Sequence, residues 1–179
     1  MDRAVAYALG SLNVVTLDRL TSTTPCRGWD LTALLRHLDD SLAALHEGLT
    51  FGRVAALPTP ADVGGDLVAC VRARAVQLIG QSESSSTVTI AERELPRGVL
   101  AVVGALELTV HGWDIARACG LDRPIPPRLA AELLAVAPMV VTEATRPEQF
   151  GVPVMLSRAA SNADRLIAFL GRDPSSDLS

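Results

Sequence analysis

The chain has 179 residues and a net charge of −4, with 49% hydrophobic and 20% charged residues. This composition argues against disorder and provides enough apolar side chains for one core, so we predict a single domain over residues 1–179. The arginines are scattered among acidic residues, and no apolar run reaches the ~18 residues of a membrane span, so we expect neither a nucleic-acid nor a membrane partner.

Three helices are predicted in the N-terminal half. The first covers Asp2–Leu20, where apolar residues recur at three- and four-residue intervals. The second covers residues 31–49, because Asp30 is a favourable N-cap and the following leucines fall on one narrow stripe of a helix. After a loop rich in proline and glycine, residues 66–80 predict a third amphipathic helix that ends near Gly80.

A polar segment separates these helices from the fourth. Residues 81–95 predict a loop, with a short extended piece at Thr87–Ile90. The fourth helix begins at about Pro96 and runs to Cys119, and Gly120 follows as a left-handed C-terminal residue. Because this helix is apolar on nearly all sides, we expect it to be the most buried.

Two further helices complete the chain. Residues 124–144 predict a fifth helix kinked at Pro138, and residues 157–171 predict a sixth that ends at Gly171. Together these segments predict an all-α fold, in which a helical bundle carries additional short C-terminal helices.

The fourth helix contains an unexpected carboxylate. Glu107 is the only charged residue between Gly98 and Val110. An isolated buried carboxylate is costly unless it is protonated or has a partner. His111 lies one helical turn further along, so the two side chains share one face of the helix. The pair predicts either a hydrogen-bonded glutamate in the core or two ligands of a metal site.

A metal site needs a third ligand from another helix. Helical bundles build such sites from carboxylates and imidazoles on facing helices, and three protein ligands with one open position are typical of catalytic zinc. His37 and His46 both lie on the second predicted helix. Their positions relative to the leucine stripe favour His46 as the buried one, although a place on the helix surface is the simpler interpretation for each. Spacing alone does not identify the third ligand.

The cysteines and the N-terminus both favour a reducing compartment. Cys26, Cys70 and Cys119 are odd in number and widely spaced, so they predict neither a disulfide framework nor a zinc finger. The N-terminus lacks the basic start, apolar block and cleavage site of a signal peptide. We therefore expect reduced cysteines and a cytoplasmic protein.

Three blocks of the sequence resemble a known family. TPCRGWDLTALLRHL lies near the start, LPRG and ELTVHGWDIARACG lie in the middle, and DRLIAFLGRDP lies near the end. The blocks and their order are similar to the DinB-like superfamily, in particular to its actinobacterial metal-binding branch related to the N-terminal domain of mycothiol-dependent maleylpyruvate isomerase. The absence of lysine fits an actinobacterial origin. The resemblance covers nearly the whole chain and implies a DinB-type four-helix bundle.

The resemblance also implies a metal site and a chemistry. Members of the family hold a metal with a histidine of the second helix and a Glu-x-x-x-His motif of a later one, which correspond to His37, Glu107 and His111. The resemblance favours zinc, although such ligands also bind nickel or iron. The open position implies a thiol, mycothiol in these organisms, which adds to an electrophile for isomerisation or S-transfer. Asp114 then orients His111 as a hydrogen-bond acceptor, or is a surface aspartate.

The resemblance leaves several functional questions open. The isomerase has a further C-terminal domain, whereas this chain ends with GRDPSSDLS, so the resemblance implies a small electrophilic substrate without identifying it as maleylpyruvate. The alternatives to a metal- and thiol-dependent isomerase or transferase are a non-catalytic metal-binding or stress-related module and a metal-dependent hydrolase. Catalytic residues, thiol-binding residues and oligomeric state are left open, with a homodimer as one option.

Overall fold

The computed structural model describes residues 1–54, 66–80, 86–144 and 146–176. Within these ranges the chain is mostly helical and carries one small three-stranded sheet. The predicted helical class is therefore confirmed at this level, whereas the sheet is an addition to it. The predicted loop of prolines and glycines between the second and third helices, residues 55–65, lies outside the described residues.

Helix α1 spans Asp2–Leu12 and is shorter than the predicted Asp2–Leu20. The prediction is wrong beyond Leu12 because Asn13 and the β-branched run Val14–Thr16 favour non-helical backbone. Only a short 3₁₀ turn, Leu17–Arg19, follows before the next helix.

Helix α2 spans Leu31–Phe51, and its start agrees with the prediction. The Asp30 carboxylate caps it by accepting a hydrogen bond from the Ala33 amide at 2.8 Å. Gly52 ends it in the left-handed region, with φ of 69°. The leucine stripe is fully buried in the core, through Leu31, Leu34, Leu35, Leu38 and Leu42.

Helix α3 spans Leu67–Gln77 and packs against α2 and α1. Asp66 caps it by accepting hydrogen bonds from the Val68 and Ala69 amides at 3.0 and 3.2 Å. Arg74 pairs with the buried Asp39 of α2, with 2.7 Å between Nε and Oδ1. This ion pair connects the two helices and compensates a carboxylate that is only 1% exposed.

The sheet joins three short strands, β1 at Arg53–Val54, β2 at Thr87–Ile90 and β3 at Arg93–Pro96. Strand β1 pairs parallel to β2, and β2 pairs antiparallel to β3. The predicted extended piece at Thr87–Ile90 is confirmed. The predicted loop over residues 81–95 is wrong at β3, where a two-residue turn returns the chain onto β2, and its residues 81–85 lie outside the described residues.

Helix α4 spans Arg97–Ala118 and packs against both α1 and α2. Gly112 brings α4 close to α1, since a Cβ at this position would lie 3.2 Å from the Ala8 Cα. In the part of the chain that the structure describes, α4 is the one helix long and apolar enough to span a membrane, and 72% of its apolar window is buried inside the protein. The predicted left-handed residue Gly120 follows, with φ of 74°.

The C-terminal part contains α5 at Pro127–Val140, α6 at Arg146–Gln149 and α7 at Asn162–Phe169. Helices α5 and α7 are shorter than the predicted fifth and sixth helices, and α6 lies outside both predicted ranges. Pro138 lies inside α5 near its end. Helix α7 packs against α5 and begins with a capping box formed by Ser161 and Asp164.

The end of α7 is held against the segment before it. The buried Arg146 donates hydrogen bonds to the carbonyls of Gly151 and Phe169 at 2.8 and 3.0 Å. Gly171 has a φ of 83°, as expected for a helix end, and its backbone touches Gly151 so closely that a Cβ would lie 2.5 Å from the Gly151 Cα. This arrangement directs the next residue, Arg172, toward the interior.

Candidate metal centre

Three predicted ligands meet between α2 and α4. His37 Nε2 lies 2.6 Å from Glu107 Oε1, and His111 Nε2 lies 3.3 Å from the same oxygen. The His37 and His111 rings also contact each other edge to face, with 5.1 Å between their centroids. One candidate ligand atom from each residue lies within 4.8 Å of the others.

Helix geometry explains why the three side chains converge. Glu107 and His111 are one turn apart on α4, and α4 lies beside α2. Ser41, one turn after His37 on α2, donates a hydrogen bond to Glu107 Oε1 at 3.0 Å. Glu107 is therefore held from two helices, and its partly buried carboxylate has the partners that the sequence requires.

His111 is oriented by a carboxylate behind it. Its Nδ1 lies 2.9 Å from Asp114 Oδ2, and both residues are buried. This contact fixes the ring so that Nε2 faces Glu107. Asp114 thus occupies the position expected for an orienting acceptor, and the alternative of a surface aspartate is wrong, because its side chain is 0% exposed.

Arg172 neutralises Asp114 from the C-terminal segment. Its Nε and Nη2 donate to Asp114 Oδ1 and Oδ2 at 3.2 and 3.0 Å, which is a bidentate pair. Arg172 also donates to the Leu170 carbonyl at 3.0 Å. Its Nη2 lies 3.1 Å from Cys26 Sγ, so one buried cation joins the N-terminal and C-terminal parts at the site.

The charges of the pair on α4 stabilise each other. Burial raises the pKa of Glu107, but the charge of His111 and hydrogen bonds from His111 and His37 outweigh it and hold the pKa well below its usual range. Burial lowers the pKa of His111, but the charge of Glu107 and hydrogen bonds with Asp114, Cys26 and Glu107 raise it well above its usual range. Without a metal, the two groups therefore form a partly buried ion pair.

Asp114 is also held ionised. Burial raises its pKa, but the charge of Arg172 and the hydrogen bond with His111 lower it further than burial raises it. Both carboxylate oxygens already accept hydrogen bonds. Asp114 consequently acts on His111 and has little capacity to accept a proton from a ligand.

The donors face a cavity of about 830 Å³. Its polar wall carries the three predicted ligands together with side chains from the segment before α2 and from the C-terminal part: Cys26, Arg27, Trp29, Gln149 and Arg172. Its apolar wall comes from α2, α4 and the sheet: Ala44, Leu45, Val54, Ile90, Leu100, Val103 and Val110. A cavity lined by a few convergent polar groups and by many apolar side chains is typical of a small-molecule site.

The spacing of the three donors is close to that of a divalent metal site. Tetrahedral zinc with ligand bonds of about 2.0–2.1 Å places its donors about 3.3 Å apart. The Glu107 to His111 separation of 3.3 Å has this value, whereas the 2.6 Å between His37 and Glu107 is a hydrogen-bond distance. The two histidines and the carboxylate fit zinc after a small outward shift of the half-exposed His37, whose side chain is 38% exposed.

A second donor group lies behind the first. Cys26, His111 and Asp114 also present ligand atoms within 4.8 Å of one another. Here, however, Arg172 already contacts both Cys26 Sγ and Asp114. A metal ion would have to displace a buried guanidinium, so this group fits a cation less well than the first.

The structure also gives the positions of His46 and of the two tryptophans. His46 is half-buried, and its ring meets the Phe51 ring edge to face. It therefore lies outside the site, although its position relative to the leucine stripe favoured it over His37 as the buried histidine. Trp29 lines the cavity and packs on His37 with 4.8 Å between ring centroids. Trp113 packs in the core, at 5% exposure.

The sequence patterns do not identify three of the residues at the site, Cys26, Ser41 and Arg172. Each lies in or beside a block that resembles the family, TPCRGWD, LLRHL or GRDP, and that position was the only available signal.

The fold and the site together define a mostly helical protein with two histidines and a glutamate beside one cavity. No protein-family model matches the chain. Similar proteins include the uncharacterized protein Rv0738 of Mycobacterium tuberculosis (strain ATCC 25618 / H37Rv) and the uncharacterized protein MT0763 of strain CDC 1551 / Oshkosh. Each is 31% identical over 165 residues, which are 88% of this chain and 87% of the relative. The chain belongs to the same family as these two mycobacterial proteins.

Proposed function

We propose that this protein is a metal-dependent enzyme that uses a low-molecular-weight thiol for isomerisation or S-transfer on a small electrophilic substrate. The observation that carries the proposal is the convergence of His37 from α2 with Glu107 and His111 from α4 at the wall of one cavity. A divalent metal bound there supplies Lewis acidity and lowers the pKa of a coordinated thiol. Zinc suits these ligands, and nickel or iron are open to the same donors.

The protein's own residues have distinct tasks in this proposal. His37, Glu107 and His111 hold the metal, Ser41 steadies the Glu107 carboxylate, and Trp29 packs on the His37 ring. Asp114 keeps His111 in the orientation that directs Nε2 toward Glu107.

The polar wall of the cavity accommodates the proposed thiol. Arg27 and Gln149 line it beside the donors, and they provide hydrogen-bond donors for a hydrophilic thiol such as mycothiol. The apolar wall then remains for the substrate.

A hydrolase is less well supported than a thiol-dependent enzyme. Metal-assisted hydrolysis needs a general base close to the activated water. Among the described residues that line the cavity, Glu107 is the only carboxylate, and it belongs to the donor set. Asp114 is engaged by Arg172 and His111. The non-catalytic module is thus the main competitor, and a thiol-binding measurement separates it from the enzyme.

The fold-level part of the proposal is a DinB-type four-helix bundle. The packing of α1 on α4, α4 on α2, α2 on α3 and α3 on α1 supports it, because these contacts close a ring of four helices. We also propose a cytoplasmic location. The free cysteines Cys26, Cys70 and Cys119 support that location, since reduced thiols are usual there.

Metal content tests the ligand set directly. Purified protein is expected to hold about one divalent ion per chain by mass spectrometry of the metal, and His37→Ala is expected to lower this occupancy strongly. His46→Ala is the matched control, because His46 lies on the same helix, is half-buried and is outside the site. If the wild-type protein binds no metal, or if both variants bind as much as the wild type, the metal proposal is wrong.

Thiol binding separates the enzyme from the non-catalytic module. Mycothiol added to cobalt-loaded protein is expected to produce a sulfur-to-cobalt charge-transfer band, and the same protein should accelerate conjugation of mycothiol to 1-chloro-2,4-dinitrobenzene or isomerisation of a conjugated cis-diacid. Protein that keeps its metal but gives neither the band nor turnover would support the module instead.

A further inference from the structure

The cavity continues from the donors along the groove between α2 and α4. On α2 the lining residues Ser41, Ala44 and Leu45 follow His37 at intervals of one turn, toward the C-terminal end of the helix. On α4 the lining residues Gly104 and Leu100 precede Glu107 at similar intervals. The two series thus run side by side away from the donor set.

Contacts at two glycines show that these helical turns face each other. A Cβ at Gly104 would lie 2.6 Å from Leu45 Cδ2, so the α4 turn before Glu107 meets the α2 turn after Ser41. A Cβ at Gly48 would lie 2.5 Å from Leu100 Cδ2 and 3.0 Å from Val54 Cγ2. Leu100 of α4 and Val54 of β1 therefore both lie against Gly48, at the end of the described groove.

This part of the cavity has no charged lining residue among those described. We call it the apolar half; it is lined by Ala44, Leu45, Val54, Ile90, Leu100, Val103 and Gly104. A polar group placed there loses its water without gaining a partner, which costs roughly 1–3 kcal/mol. A hydrocarbon chain instead gains about 0.8 kcal/mol for each buried methylene. The apolar half consequently selects hydrocarbon.

The length of the apolar half sets the size of its ligand. Seven residues separate Leu100 from Glu107 on α4, and a rise of about 1.5 Å per residue gives about 10 Å along the helix axis. An extended hydrocarbon with bonds of about 1.5 Å advances about 1.25 Å per carbon, so about eight carbons span this distance.

We propose that the substrate is an electrophile with an unbranched hydrocarbon chain of about eight carbons, which binds with its reactive end at His37, Glu107 and His111 and its chain in the apolar half. The placement of the reactive end rests on the proposed function, whereas the chain site rests on the groove alone. The thiol occupies the opposite, polar end beside Arg27 and Gln149.

A homologous series of straight-chain hydroxamates tests the chain site. Their metal-binding head stands in for the reactive end, and calorimetry measures the affinity of acetohydroxamate, butyrohydroxamate, hexanohydroxamate, octanohydroxamate and decanohydroxamate. The affinity is expected to rise about two- to fourfold per methylene up to about eight carbons and then level off. An affinity that is independent of chain length would overturn the proposal.

A matched pair of variants locates the chain. Val103→Asp places a charge in the apolar half and is expected to abolish the dependence on chain length while leaving acetohydroxamate binding within about twofold. Val99→Asp is the control, because Val99 lies on the same helix at 38% exposure, against 42% for Val103, but does not line the cavity. Equal effects of the two variants would contradict the proposed location.

A variant on the facing helix keeps the test independent of Val103. Ala44→Leu fills part of the groove from α2. The longest chain that fits should therefore be shorter, and the affinity should level off several carbons earlier in the series. An unchanged series would count against the proposal in the same way.

The same series on metal-free protein distinguishes the two proposals. If no metal binds but the affinity still rises with chain length, the proposed function fails and the chain site stands. If the metal binds and affinity is flat in both forms, the chain site fails and the proposed function stands.

Discussion

At the scale of single residues, Glu107 explains why the site exists. Its carboxylate is the only charged group between Gly98 and Val110 and is only 22% exposed. His37, Ser41 and His111 all contact the same oxygen, Oε1. A divalent cation could take the place of these hydrogen-bond partners, because its charge compensates the carboxylate more completely than hydrogen bonds do.

Asp114 is expected to control metal affinity without touching the metal. Asp114→Asn weakens the hold on His111 Nδ1 and leaves Arg172 without its charge partner, so zinc affinity should fall about 10–100-fold. Competition with a chromogenic chelator measures the dissociation constant. Asp40→Asn, at an exposed position on α2, is the control and should bind zinc as the wild type does. An unaltered affinity in Asp114→Asn would show that the orienting contact is dispensable.

Tyr7 is expected to make the protein sensitive to alkaline pH. Burial raises its pKa from the ordinary value of 10.0, although the charge of Arg123 opposes this. A raised folded-state pKa means that the stabilisation is complete below pH 10 and is lost as the pH rises above it. Near neutral pH, Tyr7→Phe should lower the free energy of unfolding by about 1 kcal/mol, because the 2.7 Å hydrogen bond to the Arg123 carbonyl is lost.

Above pH 10 the difference between wild type and Tyr7→Phe should shrink. Urea unfolding at several pH values measures it, and phenolate absorbance follows ionisation of this residue alone, since the chain has 1 tyrosine. A difference that stays constant from neutral to alkaline pH would show that Tyr7 does not ionise with a raised pKa.

At the scale of secondary-structure elements, the turn between β2 and β3 carries backbone strain. Ala91 and Glu92 have φ values of 46° and 66°, in the left-handed region that non-glycine residues rarely adopt. Two consecutive positive φ values define the tight hairpin turn that Asn-Gly favours. Strand β2 also contributes Ile90 to the cavity, so this strained turn helps to position the apolar half.

Replacing Ala91–Glu92 with Asn-Gly is therefore expected to raise the free energy of unfolding by about 1 kcal/mol. The midpoint of urea unfolding measures the gain, with Ala91→Asn alone expected to give a smaller one. Lower stability in the double variant would mean that the left-handed turn is not the conformation in solution.

At the scale of the whole molecule, the site joins parts of the chain that are distant in sequence. Arg172 lies after α7, yet it contacts Asp114 of α4 and Cys26, which precedes α2. The C-terminal part therefore contributes to the site as well as to the core, because its Arg172 is the cation that neutralises Asp114. Ligand binding at the site should consequently stabilise the entire fold.

Zinc is expected to raise the melting temperature of the wild-type protein by about 5–10 °C when its free concentration is about 100-fold above the dissociation constant. Binding to the folded state alone stabilises it by about 2.7 kcal/mol under these conditions, and about 1 kcal/mol shifts the melting temperature of a domain of this size by 2–4 °C. Differential scanning calorimetry measures the shift. Glu107→Gln should show almost none, and an equal shift in that variant would indicate that zinc binds elsewhere.

The sequence by itself determined the features that depend on near neighbours. Asp30 and Gly120 mark helix ends through local backbone chemistry, and helical periodicity placed Glu107 and His111 on one face. The end of α1 and strand β3 were harder to predict from the sequence, because weak local preferences there compete with strand pairing and side-chain packing. Only the tertiary structure decided what depends on helix register and chain return. Spacing left His37 and His46 both open, the family resemblance indicated His37, and the tertiary structure places His37 beside Glu107. The tertiary structure also brings Arg172 to Asp114 and opens the cavity between α2 and α4, since no local rule fixes which turns of two helices face each other.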